Sequence, residues 1–299
     1  MSKRETRKSL SPLDKLWSRA LSQGFLHLVL IFGGVIFSLP FLWLVTTSLK
    51  TKDEIFRIPM TWIPDAARQW PVDWQTLFLN FTNAQQFIPF WTWLGNTLQV
   101  TLFSVVLNTL ASSFVAYGFS RIRWRGRDSV FVLVLATLML PAQVTMIPQF
   151  LIFNAVGWYN TLKPLWFPSM FGTAFHIFLL RQFMMTLPRE LEEAAKIDGC
   201  GNIRIYLTIT LPLIKPALAV VAVQTFQGAW NNFLGPYIYI NTKDKMTIAL
   251  GLQWFRTEYG SMYGEMMATT LIMTLPIIVI FFFCQRYMVQ GISLTGIKA

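Results

Sequence analysis

The chain has 299 residues, of which 54% are apolar and 13% charged, against roughly 25% charged in soluble domains. So little charge cannot cover a water-facing surface, which excludes an ordinary soluble enzyme or binding module and makes the bilayer the natural solvent. The formal net charge of +11 does not point to nucleic acid, because the basic residues are divided among separate loops and form no single face.

In chain order, Lys3, Arg4, Arg7, Lys8, Lys15 and Arg19 form a basic opening segment, 1–20. The first apolar run, 24–46, exceeds a signal-peptide core and lacks a small-residue cleavage site, so it is expected to remain as an anchor. A loop over about 50–90 follows, and Trp62, Trp70, Trp74, Trp91 and Trp93 in and after it suit the membrane interface. Runs 91–119 and 130–153 flank a loop holding Arg121, Arg123, Arg125 and Arg127. Run 165–180 leads to Arg181, Arg189, Lys196 and Arg204, and runs 211–240 and 266–284 complete the series. The apolar residues are contiguous and do not alternate, which predicts helices and not barrel strands. The expectation is an all-α polytopic membrane protein with about six transmembrane helices.

The basic clusters alternate with loops of mixed charge, so the positive-inside rule places them, the N-terminus and the C-terminus on the cytoplasmic side. Cys200 and Cys284 fall in a basic loop and in the last run, and both are expected to be free thiols. Pro40, Pro141, Pro148, Pro168, Pro212, Pro216, Pro236 and Pro276 lie within or beside the runs. In a lone helix each would cost roughly 3 kcal/mol, so the freed carbonyls must find partners; the helices are either simply kinked or bent around a path.

The third basic loop, 186–204, has the punctuation of a complete short helix. Thr186 can cap it, Pro188 fits its first turn, and Glu190, Glu192 and Glu193 set negative charge at the positive end of the dipole. Lys196 comes late and Gly199 can stop the helix in a left-handed conformation. About twelve residues make a rod of roughly 18 Å, too short to span.

The same loop continues into the pattern Glu193-Ala194-Ala195, three residues, Gly199, nine residues, Ile209, one residue, Leu211-Pro212. This resembles the signature of permease subunits of binding-protein-dependent ABC importers. The resemblance extends over nearly the whole chain and is nearest the second permease of the maltose-type carbohydrate group. Lys50, Glu54, Pro59, Trp62 and Pro64, the Ala116-Tyr117-Gly118 turn, Leu140-Pro141-Ala142-Gln143 to Pro148, Trp230-Asn231 and the tail GISLTGIKA at 291–299 also carry it. The tail ends in Ala299 after Lys298, where relatives usually end in Gly.

The resemblance implies a type I ABC importer permease fold over 1–299, in one domain, with 186–204 as a cytoplasmic coupling helix and 289–299 as a cytoplasmic tail reaching between ATPase subunits. It implies that Glu193, Ala194, Ala195, Asp198 and Gly199 dock on an ATP-hydrolysing partner. It further implies two ATP-binding subunits, a homologous second permease, an extracytoplasmic solute-binding protein and the inner membrane of a bacterium or archaeon. ATP and Mg would be held by those partners, leaving this chain no cofactor, no metal and no catalytic role.

Within run 211–240, Gln224, Gln227, Asn231 and Asn232 accompany Trp230. Amides pair with sugar hydroxyls and an indole covers a pyranose face, so these residues are candidates for a solute path; amides also bind helix to helix in lipid. The run exceeds the roughly 20 residues of a crossing, which predicts tilt or a break near Gly235-Pro236. His27 and His176 read as structural, and the methionines as packing. No buried carboxylate pair marks an ion-coupled carrier, the principal competing class, and no converging nucleophile and base marks a membrane enzyme. Sugars lead as the solute; polyols and glycerophosphate stay open.

Overall fold

The computed structural model describes residues 12–257 and 260–296, with side chains over 23–256 and 261–286. A bilayer offers no partners to backbone N–H and C=O groups, so each apolar run closes its own hydrogen bonds as a helix. The principal helices are α1 Pro12–Ser48, α2 Leu79–Phe87, α3 Phe90–Ser120, α4 Arg127–Ala136 and α5 Ala142–Ala155. They continue with α6 Ala174–Met185, α7 Glu190–Ile197, α8 Lys215–Trp230 and α9 Tyr263–Gly296. By length and composition three of these can cross alone, over Gln23–Ser48, Phe90–Ser120 and Tyr263–Arg286, and three bent pairs raise the candidate crossings to six.

Proline sets the first bend. Arg127–Met139 and Ala142–Ala155 meet at 99°, because Pro141 drives the preceding Leu140 out of the helical region to φ −79°, ψ 119°. Asn202–Leu213 and α8 meet at 79°, with the break at Ile214 between Pro212 and Pro216. Ahead of it, Tyr206–Thr210 widens into a π-helical turn. A proline at 212 removes an amide and crowds the carbonyl four residues back, and a wider turn accommodates both.

The fifth run breaks near Gly235-Pro236, as its length predicts: α8 ends at Trp230 and a separate short helix, Leu234–Tyr239, contains both residues. Ala116-Tyr117-Gly118, by contrast, is no turn, since α3 runs through it to Ser120.

α3 is the central mast, packed against α6 and α8, while α9 joins α8 and α1. Thr97, Thr101, Ser104, Asn108 and Ser112 form a buried small-polar seam along it, the composition that lets membrane helices approach closely. Gly172, at φ +72°, brings the entry to α6 so near this seam that an added Cβ would lie 2.8 Å from Ser112 Oγ. Between Phe25 and Leu42, α1 exposes apolar side chains all round, with Phe37 86% exposed, as a lipid-facing or partner-facing helix would.

One core lies where α3, α6 and the approach to α8 meet, around Tyr117, Leu180, Met184, Tyr206 and Ile214. The other lies beneath the loops, around Phe90, Trp93, Ile248, Leu250 and Phe255. Trp93 thus leaves the expected interfacial set. It is fully buried and its Nε1 donates to Lys243 O at 2.6 Å, whereas Trp91, two positions away on the other side of α3, is exposed. Lys50 is buried too: its ammonium donates to Thr61 O and stands 5.0 Å from the Trp43 ring, and burial pulls its pKa below the usual lysine value.

Candidate functional site

The segment after α6 turns back sharply, so that α7 lies at 79° to the helix before it. Its start differs from the expected one. Thr186 donates its hydroxyl to Phe183 O at 2.8 Å and so finishes the preceding helix instead of capping the next, and α7 begins at Glu190, with Pro188 outside it. Glu190, Glu192 and Glu193 do occupy its first turn, where carboxylates complement the helix dipole.

Its end follows the expected geometry. Gly199 adopts φ +79°, its N–H donates to Lys196 O at 3.0 Å and the Cys200 N–H donates to Ala195 O at 2.9 Å. Those two bonds with a left-handed residue form a Schellman stop.

The faces of α7 divide the motif. Glu192 and Ala195 are buried against the bundle, while Glu193, Ala194 and Asp198 are exposed. Ile197 is 87% exposed, an apolar residue on a polar surface that sequence reading did not single out.

Glu192 was not assigned a partner from sequence. Its Oε1 lies 3.3 Å from Arg121 Nε, with both side chains nearly fully buried. Arg121, Arg123, Arg189, Glu193 and Lys196 also border a charged cavity of about 420 Å³ beside α7.

The second candidate set lies on α8. Gln224, Gln227 and Asn231 are exposed, together with Gly228, at helical spacing that puts them on one side. An exposed amide stripe on a crossing helix faces either a watered path or another helix. Asn231 also borders a cavity of about 280 Å³ with Thr270 and Thr274 of α9.

Two expected members do not belong to that stripe. Trp230 is buried and its indole donates to Met273 O at 3.0 Å, so it fastens α8 to α9. Asn232 accepts the Gly235 amide on Oδ1 at 3.0 Å, holding the turn into Leu234–Tyr239.

Behind the stripe, Gln224 Oε1 lies 3.2 Å from His176 Nε2. On the other ring nitrogen, Asn108 Nδ2 and Thr173 Oγ1 each approach to 2.7 Å. Asn108 Nδ2 also donates to Thr225 Oγ1 at 2.7 Å. The seam on α3 was legible as polar residues three or four apart within an apolar run; its junction with His176 was not, because the partners are far apart in sequence.

The expected termini fall largely elsewhere. Residues 1–11 and 297–299 lie outside the described residues, and the side chains of 1–22 and 287–299 are likewise undescribed, so of the expected tail 289–299 only the backbone of 289–296, the end of α9, has a structural account.

Residues 108–294 match the family described as the binding-protein-dependent transport system inner membrane component. Across 94% of its length the chain is 32% identical to the arabinooligosaccharides transport system permease protein AraQ of Halalkalibacterium halodurans, covering 96% of that protein. It is 34% identical to the lactose transport system permease protein LacG of Rhizobium radiobacter, with 84% of this chain and 88% of the relative aligned. Among solved structures, a chain of a bacterial ABC transporter that imports the acidic polysaccharide alginate superposes with a TM-score of 0.75, at 21% identity and over 93% of this chain and 99% of that one. The last similarity speaks to fold.

Proposed function

The chain belongs to the family of binding-protein-dependent transport system inner membrane components, and from that premise we propose that it is a permease subunit of an ATP-driven importer passing a carbohydrate inward. The observation that carries the reading is the coincidence of near full-length similarity to an oligosaccharide permease with a motif helix whose outward face, Glu193, Ala194 and Asp198, is exposed among the described residues. Two small or short side chains beside a stop glycine let a partner's backbone approach closely, and the carboxylates meet its basic groups.

In this reading 1–299 is one transmembrane permease domain, 186–204 docks on an ATP-binding subunit, and both termini face the cytoplasm. The assembly contains a homologous second permease, two ATP-binding subunits and an extracytoplasmic binding protein, all within membrane lipid and with no nucleic acid. ATP and Mg are bound by the partners, and this chain performs no catalytic step. Gln224, Gln227 and Asn231 line part of the passage, where amides exchange hydrogen bonds with passing hydroxyls. Each such bond is worth about 0.5–1.5 kcal/mol, weak enough for release.

The test is ATP hydrolysis by the purified, co-expressed complex in the presence of its binding protein and a panel of arabinotriose, lactose, diacetylchitobiose and glycerol 3-phosphate. Stimulation by a neutral sugar is expected. A complex that hydrolyses ATP but answers only to glycerol 3-phosphate, or to no member of the panel, would contradict the carbohydrate assignment.

A further inference from the structure

Arg121 follows directly on α3, and its guanidinium turns inward under the bundle with its side chain only 3% exposed. Nη2 donates to Met184 O and to Leu187 O at 2.9 Å. It thereby adds a side-chain donor at the C-terminal end of α6, where Met184 O also accepts the Leu187 amide at 3.1 Å. Nε stands 3.3 Å from Glu192 Oε1 of α7. That same oxygen accepts from Thr210 Oγ1 at 3.4 Å, and Thr210 closes the π-helical turn that leads to the bend before α8.

One buried charged node therefore touches the end of α3, the end of α6, the first turn of α7 and the approach to α8. Packing alone does not require it. A buried ion pair adds little net stability over apolar side chains of similar size, although removing one partner strands the other. What it does supply is a charged contact from α7 to elements that already share one core, beyond the connecting segments 186–189 and 198–201.

The two adjacent glutamates divide accordingly, Glu193 facing outward and Glu192 facing the bundle. A displacement applied to the outer face of α7 reaches α3 and α8 through the inner one.

We propose that the Arg121–Glu192 pair, with Thr210, is the joint that converts movement of α7 into movement of the membrane helices, which makes Arg121 and Glu192 positioning residues for transport. The proposal rests on α7 being the helix that docks on the ATP-binding subunit.

The experiment uses the whole importer with its binding protein in proteoliposomes and the radiolabelled panel sugar, arabinotriose, lactose or diacetylchitobiose, that stimulates the unaltered complex. Glu192→Gln keeps an acceptor for Thr210 and removes the charge. ATP-binding subunits should co-purify in normal amount and hydrolysis without sugar should persist, while sugar carried per ATP falls at least about tenfold, within the usual span of coupling between sites. Thr210→Val, a milder change that also covers a failure of Glu192→Gln to fold, should lower the same ratio by a smaller factor.

An unchanged ratio in both variants would overturn the proposal. So would a loss of transport matched by an equal loss of attached ATP-binding subunit, which is how a residue that merely stabilises the fold behaves. Glu193→Lys separates the two levels of the reading. If it leaves attachment and transport intact, the docking role of α7 fails; if it abolishes attachment while Glu192→Gln stays fully coupled, only the joint fails.

Discussion

Asn108 Nδ2 lies 2.7 Å from His176 Nδ1, and an amide nitrogen can only donate, so Nδ1 is the accepting nitrogen and Nε2 carries the proton given to Gln224 Oε1. His176 is therefore neutral in this network, and its Nε2–H takes one lone pair of Gln224 Oε1. His176→Ala would leave one N–H of the buried Asn108 without its partner, the other still donating to Thr225, and should cost about 1–3 kcal/mol. The measurement is the thermal midpoint of the detergent-purified complex. His176→Gln, which can both donate and accept, should recover part of the loss, and a midpoint unmoved by His176→Ala would mean the network carries no stability.

Gly251 packs against the indole of Trp93 so closely that a Cβ would sit 2.1 Å from one ring carbon and 2.2 Å from another. The ring cannot step aside while its Nε1 stays bonded to Lys243 O. Gly251→Ala should destabilise by about 1–3 kcal/mol through overpacking. Gly228→Ala provides the control, since nothing lies within 4 Å of the site. Equal thermal midpoints for the two variants would contradict the packing.

Asp73 gives an acid-dependent contact in the loop between α1 and α3. Its Oδ2 accepts from Thr76 Oγ1 at 2.6 Å and its Oδ1 from the Thr76 amide at 3.1 Å, and these bonds, led by the hydroxyl, hold its pKa below the ordinary 3.8. The folded pKa is depressed, so the contribution is present above the unfolded value and disappears as pH falls through the folded one. Amide protection over Trp74–Leu77, corrected for the intrinsic pH dependence of exchange, should fall as acid protonates Asp73 and should already be lower at neutral pH in Asp73→Ala. Exchange that ignores both changes would remove the capping role.

Much of this was readable beforehand, and the parts that were not share a cause. The carboxylates and the glycine that bound α7 act within one turn of themselves, so Gly199 was placed correctly from local chemistry. Thr186 was misplaced because a hydroxyl can serve the helix behind it as readily as the one ahead, and only the chain's turn decides. Trp93 and Trp230 looked like interfacial or sugar-facing indoles, yet each is buried and donates to a carbonyl far along the chain, at Lys243 and Met273. The break near Gly235-Pro236 was legible from the length of the run, but its place just after Trp230 was not, because Asn231 and Asn232 tolerate a helix and its end alike. Arg121 and Glu192 were visible as charges, but their pairing depends on two elements being brought together in space.

The docking of α7 on an ATP-binding subunit is the claim on which the rest depends, and Ile197 offers the most direct measurement of it. It is 87% exposed at the end of α7, so Ile197→Cys, in an assembled importer whose free Cys200 and Cys284 are replaced by Ser, can be treated with a short bifunctional thiol reagent while cysteines are placed one at a time on the ATP-binding subunit. The account predicts a crosslink to that subunit from Ile197→Cys and none from Trp70→Cys, which is 93% exposed in the loop between α1 and α3. An intact complex in which Ile197→Cys joins only the binding protein, or in which Trp70→Cys is the position that captures the ATP-binding subunit, would contradict it.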